Sequence, residues 1–326
     1  MTMSFHTLNC PPMFGSNGKR IRTRYTTRWS PSMAMQLSPI ILLQSDESGK
    51  LHEDKKNSSS GTALTRCKSS NHLLGQANAV GIIGGASVFS TLIFLEKLVW
   101  WSSKTGEECI PFVVCNDPNI SRQLPFHPAK CKNSIHLNQD TLVENLRSKR
   151  VFLEQSGVHC IVMPCHKSHA WLVEVSEGCS VPFLSAGVCV ARELKEAKLK
   201  PLEAGSNPRI GLLGADTALM IGYYQEQLER QGFEVVLLDK ATTEHTVIPA
   251  IVALNRKDME GARNLLRIAI QVLLVRAVNC VILASDEFLG VLPRGDPLLK
   301  KCVDPMDALA RSTLRWAKST DQKVHK

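Results

Sequence analysis

Two stretches of this chain are copies of one pattern, and the repeat limits the folds open to it. Val80-Gly81-Ile82-Ile83-Gly84-Gly85-Ala86-Ser87 runs from an apolar strand into a glycine turn and a small hydroxyl. Arg209-Ile210-Gly211-Leu212-Leu213-Gly214-Ala215-Asp216-Thr217 repeats it. Further on in each half, His159-Cys160-Ile161-Val162-Met163-Pro164-Cys165 matches Asn279-Cys280-Val281-Ile282-Leu283-Ala284-Ser285. Each has a polar residue, a cysteine, an apolar run and a small nucleophilic side chain. Short apolar runs of this kind are strands of parallel sheets buried on both faces. The reading is α/β: two similar Rossmann-like parallel-sheet domains related by pseudo-twofold symmetry.

The segments between these motifs fit that plan. A helix follows the first glycine turn to about Trp100, and its apolar run reads as buried. Ile110 to Cys115 is a strand closed by Asn116-Asp117-Pro118, residues that also end strands for purely local reasons. Leu142, Leu146 and Phe152 mark a helix over Leu137 to Gln155. Val181 to Leu184 is a short strand, and Val188 to about Leu199 a helix. Phe233 to Leu238 is a strand of the second half. Asp258 to Val278 is a long amphipathic helix with Leu265, Leu266, Ile268, Ile270, Leu273 and Leu274 inward. The segment Pro201 to Pro208 is the best boundary. The first domain is then 77–200, completed by a helix within 303–320 that packs back on it. The second domain is 208–302.

The chemistry concentrates at the end of the strand Cys160 to Met163, where Cys165, His166, Lys167, Ser168 and His169 cluster. Ligands of open α/β sheets bind at the carboxyl ends of the strands. A thiol there, with a cation and imidazoles beside it, is a candidate thiolate, although a buried structural cysteine fits the same pattern. Lys167 and a helix start would lower its pKa from about 8.5 toward neutrality. Equivalent strands place Ser285 at the matching end of the other sheet, so the two residues flank one cleft. The glycine turns are not Gly-x-Gly-x-x-Gly, which disfavours a dinucleotide, whereas a small carboxylate or phosphate suits a helix start. His166 and Lys167 fit a solvated helix start equally well.

Charge and composition exclude other classes. The chain carries a formal +9, but residues 1–70 hold ten Lys/Arg against four Asp/Glu, leaving only +3 for the rest. The body therefore gives no electrostatic case for nucleic acid. No apolar run approaches the roughly 18 residues that span a membrane. The 11 cysteines form no Cys-x-x-Cys pair, so no metal site is expected. No Asp or Glu precedes Asp46, and that stretch is basic and rich in Ser and Thr. With the polar segment after it, residues 1–76 read as a transit peptide and flexible linker. The expected destination is the chloroplast, with the mitochondrion second. Trp100 and Trp101 would suit a homodimer interface if they stand outside the core.

The ordered motifs resemble the aspartate/glutamate racemase family, which works without pyridoxal phosphate. Gly81 to Gly85 with Ser90-Thr91 resembles its opening. Cys165 with His169 resembles its first cysteine motif, usually Cys-Asn-Thr-x-His. Gly211 to Gly214 with Thr217 resembles its second glycine turn. Ser285-Asp286-Glu287 falls where the family has Cys-Thr-Glu, and Asp304 to Asp307 resembles the opening of its last helix. The resemblance implies two cysteines on opposite faces of a substrate Cα, no cofactor, and an acidic amino acid or related carboxylate as substrate. It implies Cys165 and Ser285 as the catalytic pair, and Ser87, Asn116, His166, Lys167, Thr217 and Asp286 around the substrate. This chain departs from the pattern at Ser285, since a hydroxyl is a far weaker base than a thiol. Asp286 could activate Ser285 or act as the second acid/base itself. The rival readings are a single-cysteine decarboxylase or cis–trans isomerase of a diacid, an inactive carboxylate binder, and hydrolysis by Cys165 with His169.

Overall fold

A computed structural model describes residues 76–106, 109–117, 135–202, 205–214 and 218–324. The leader and Thr217 therefore lie outside the described residues. In the first half, β1 (Val80–Ile83) leads through the glycine turn into α1 (Val88–Lys104) and then β2 (Phe112–Cys115). Next come α2 (Ile135–Gln155), β3 (Cys160–Met163), a 3-10 turn at Lys167–Trp171, α3 (Leu172–Ser176), β4 (Phe183–Ser185) and α4 (Ala186–Glu196). The second half runs β5 (Arg209–Leu213), α5 (Ala218–Glu229), β6 (Glu234–Leu237), α6 (Ile248–Asn255), α7 (Met259–Val275), β7 (Cys280–Leu283) and β8 (Cys302–Val303). The helix α8 (Pro305–Val324) closes the chain.

Each half is a four-stranded, all-parallel sheet, and the two orders are the same: β2-β1-β3-β4 and β6-β5-β7-β8. Val80 pairs with Cys160 in one and Ile210 with Cys280 in the other, so the repeat seen in sequence is a repeat of register. All four residues of β1, β3 and β7 are buried, as expected for strands covered on both faces.

A central core joins the sheets: Val80, Ile82, Phe94 and Leu98 pack in one cluster with Ile210, Tyr224, Leu228 and Ile282. Separate clusters fill the far side of each sheet, one under α2 and one under α7. Gly81 and Gly211 permit that close packing. A methyl on Gly81 would lie 2.9 Å from Val158 Cγ2, and one on Gly211 would lie 3.3 Å from Leu273 Cβ. The last helix returns to the first half. Lys97 reaches Asp304 at 2.8 Å and Asp307 at 2.9 Å, and Arg311 grips Glu193 at 2.9 and 2.6 Å.

Two expectations are corrected. In α7 the buried face is Ala262, Leu266, Ala269, Ile270 and Leu273, and Ile268 points to solvent, because two residues turn a helix by about 200°. The helix α1 is not buried throughout. Its inner stripe is Ser90, Thr91, Phe94, Leu98 and Ser102, while Phe89, Leu92, Val99 and Trp100 are exposed. Small polar side chains take inner positions that apolar ones would otherwise fill, so the sequence shows little amphipathic contrast. Trp101 is half-buried and donates Nε1–H to Asp307 at 2.9 Å.

Overpacking a buried site costs about 1–3 kcal/mol. Gly81→Ala should therefore lower the melting temperature by several degrees, and Gly211→Ala by clearly less. Thermal unfolding of both variants checks this, and equal losses would contradict the packing described.

Candidate active site

The matched strand ends carry the predicted cluster into one buried place. Cys165, one residue past Pro164 at the end of β3, is fully buried, as are His166 and Ser168. Gly85 makes room for it: a methyl there would lie 2.3 Å from Cys165 Cβ and 2.9 Å from its Sγ. Across from the thiol stands Asp286, from the loop after β7. Cys165 Sγ is 3.6 Å from Asp286 Oδ2, with the thiol donating, and the His166 main-chain N–H reaches Asp286 Oδ1 at 3.4 Å.

Ser285, next to Asp286, is buried and bound to a different partner. Its hydroxyl donates to the Glu287 carboxylate two residues on, and that carboxylate takes Lys167 Nζ at 2.7 Å. The pair Lys167–Glu287 links the two halves at the rim of the site. The side chain in contact with the thiol is the Asp286 carboxyl, one residue beyond Ser285 and itself a candidate from the sequence.

The electrostatics differ from the sequence expectation too. Lys167 was expected to lower the Cys165 pKa. Instead, burial foremost and the Asp286 charge second push the thiol up to about 12, against hydrogen bonds from Ser168 and the Ser87 main-chain N–H. Burial also raises Asp286 above the ordinary carboxylate range, with His166 acting the other way. Burial thus disfavours charge on both groups, and Cys165 is held as a thiol.

His166 is not a solvated helix start. Its Nδ1 is 2.9 Å from the Tyr224 hydroxyl, and its Nε2 lies 3.9 Å from Asp286 Oδ1 with no hydrogen-bond partner. Burial holds Tyr224 well above its usual pKa, so its oxygen keeps the proton. With that hydroxyl donating to Nδ1, the imidazole presents an N–H to Asp286.

His169 has a different place. Nδ1 is 2.8 Å from the Cys165 carbonyl, and Nε2 accepts the Ala186 N–H at 3.1 Å. Both nitrogens are bound to main chain, and burial lowers its pKa to about 3. It orients the strand end and leaves no lone pair for a base. The hydrolase reading of Cys165 with His169 is thereby removed.

Ser87 caps α1, its hydroxyl accepting from Ser90 N–H at 3.2 Å. Asn116 sits one peptide away from the thiol, its amide filling the space that a side chain at Gly84 would need, and its buried Oδ1 has no partner. The Thr91 hydroxyl at the start of α1 is likewise buried without a hydrogen-bond partner, while the buried Ser90 hydroxyl faces the Asp286 carboxyl. Hydroxyls and main-chain N–H groups at a helix start can hold a carboxylate.

Sequence reasoning missed Lys149, which is buried and donates from Nζ to the Gly84 carbonyl at 3.0 Å. The signal was present: Leu142, Leu146, Lys149 and Leu153 form one helical stripe, and a lysine on an apolar stripe is unusual. Among the described residues no cluster of His, Cys, Asp and Glu has the makings of a metal site, and no helix is long and apolar enough to cross a membrane.

Comparison with known proteins adds a family. The model of the Asp/Glu/hydantoin racemases matches residues 83–313, well over half of the chain. The broad specificity amino-acid racemase RacX of Bacillus subtilis (strain 168) is 24% identical over 161 residues, 49% of this chain and 64% of that protein. The glutamate racemase of Aquifex aeolicus (strain VF5) is 28% identical over 133 residues, 38% of this chain and 50% of that one. The chain thus spans from half to somewhat under two thirds of these relatives. The crystal structure of an aspartate racemase homologue from Pyrococcus horikoshii OT3 superposes with a TM-score of 0.59 at 20% identity, covering 74% of this chain and 99% of that one. It carries the same two-sheet architecture.

A neutral, doubly bonded His169 has two observable consequences. Its imidazole resonances should stay fixed between pH 8 and pH 5 in NMR titration. His169→Leu should destabilise the fold by about 1–3 kcal/mol for each main-chain group left unpaired. A His169 that titrates in that range, or a leucine variant of unchanged stability, would contradict this assignment.

Proposed function

The chain belongs to the Asp/Glu/hydantoin racemase family, and we propose that it moves the α-proton of a small acidic amino acid or related carboxylate, with Cys165 and Asp286 as its two acid/base groups. The observation that carries this is the 3.6 Å contact between Cys165 Sγ and Asp286 Oδ2 across the two halves. A racemase needs one group on each face of the Cα. Ser285 is engaged by Glu287; Asp286 is in contact with the thiol.

Reacting atoms must come within about 3–3.5 Å. A Cα between sulfur and oxygen needs roughly twice that separation, more than the 3.6 Å contact allows. Substrate entry requires the halves to part by about 3 Å at this point. The rim pair Lys167–Glu287 is the ion pair that such parting stretches.

With substrate between them, the roles follow from the chemistry of the two groups. Asp286, in its carboxylate form, takes the α-proton from one face. Cys165, held as a thiol, gives its proton to the other face. In the reverse direction the thiolate takes the proton and the Asp286 carboxylic acid returns one. The carbanion places negative charge on the substrate carboxylate, and groups fixed in a water-poor site stabilise such charge strongly. The Thr91 hydroxyl and the start of α1 are the candidates. Family resemblance is the ground for expecting no cofactor.

The test is α-proton exchange and racemisation by the purified protein with each enantiomer of aspartate and glutamate in deuterated water. Positioned acid/base groups contribute typically 10²–10⁴-fold, so Cys165→Ala and Asp286→Asn should each lose that much of the racemisation rate, while Ser285→Ala should stay within a few-fold of wild type. Activity should fall on the acid side as Asp286 takes up a proton, at a pH above the usual carboxylate range. No exchange with any of the four substrates would reject the substrate range. A Ser285→Ala variant as dead as Cys165→Ala would reject the pairing.

A further inference from the structure

Lys149 is the only buried lysine among the described residues. A buried ammonium is costly unless its surroundings use it. Its one hydrogen bond goes to a carbonyl, that of Gly84, at 3.0 Å. Gly84 and Gly85 form the turn against which Cys165 rests, with Gly85 so close that a methyl there would strike the sulfur at 2.9 Å. The ammonium therefore stands directly behind the peptide that backs the thiol. The charged and titratable groups around it are Cys115 and Asp117 from the end of β2 and Cys165 from the end of β3. On its own helix, Asn145 donates from Nδ2 to Asp117 Oδ2 at 2.8 Å, which fixes that carboxylate in place. Asp286 faces the same sulfur from the other half.

We infer that Lys149 is a positioning residue for Cys165: its ammonium, anchored on the Gly84 carbonyl, balances the negative charge that appears on the sulfur when the thiol gives up its proton. In that step the S–H bond breaks, the proton goes to the substrate carbon and the electron pair stays on sulfur. Asp286 has by then taken the opposite proton and is neutral, so one negative charge has moved from the carboxylate to the sulfur. The inference rests on Cys165 as the acid/base of the proposed reaction, but its readout needs no turnover and can fail separately.

The probe is iodoacetamide on the full-length protein without substrate. Alkylation of the Cys165 peptide is followed by mass spectrometry from pH 6.5 to 10, with the exposed Cys109 in the same sample as reference. Burial lowers Lys149 to about pH 8. The wild-type rate should climb tenfold per pH unit below that point and flatten just above it, as the supporting charge is lost. Lys149→Met should give a straight line, slower at pH 7 by about tenfold, the change that one unit of thiol pKa produces. Lys149→Arg should restore the rate without the break. If Lys149→Met does not fold, Asp117→Asn serves instead: removing that charge should speed alkylation and move the break to lower pH. A straight wild-type profile would overturn the inference. So would a Lys149→Met profile that matches wild type, or an Asp117→Asn profile that does not move.

Discussion

A thiol and a carboxylate from opposite halves meet out of reach of water, and much of the surrounding structure serves that contact. Cys165 and Asp286 each sit at the end of a buried strand, so their separation is set by the register of two sheets and by the core between them. Burial favours the uncharged form of both groups. The compensations are spread around the pair. The His166 main-chain N–H and imidazole face the carboxylate, and the Ser87 and Ser168 donors and the Lys149 ammonium serve the sulfur. Tyr224 fixes the imidazole from the second half. The site is thus shared between the halves in its support as well as in the proposed acid/base groups.

Sharing the site also fixes what must move. A central core common to both sheets resists separation, while the contact at Cys165–Asp286 is polar and the pair at the rim is exposed enough to be screened. Opening is therefore easiest at the strand ends, where the proposed substrate would enter, and hardest at the helices that α8 ties together through Lys97 and Arg311. The returning helix makes the first half a stable platform.

The architecture was legible because repeated patterns have few solutions. Cys160 to Met163 and Cys280 to Leu283 read as buried strands from composition alone, and the two strand orders agree with that reading. Cys165 was legible from its place at a strand end. What could not be read was direction. Sequence places Ser285, Asp286 and Glu287 in adjacent positions but does not say which side chain a tight turn aims inward. The hydroxyl went to Glu287 and the carboxylate to the thiol. Likewise, His166 and His169 are three residues apart on one turn, yet one faces Asp286 and the other is bound to main chain. Lys149 escaped notice because its partner is a carbonyl, which no motif records.

The central claim is that the two faces of the substrate are served by unlike groups, a thiol and a carboxylate. The most direct measurement is α-proton exchange in deuterated water by Cys165→Ala and Asp286→Asn, each tested separately on the two enantiomers of the substrate that the wild-type protein turns over. Each variant keeps only the group on one face. The account predicts that each retains exchange with a single enantiomer, without inversion, and that the two variants retain opposite ones. Exchange with both enantiomers by the Asp286→Asn variant, or with the same enantiomer by both variants, would contradict it.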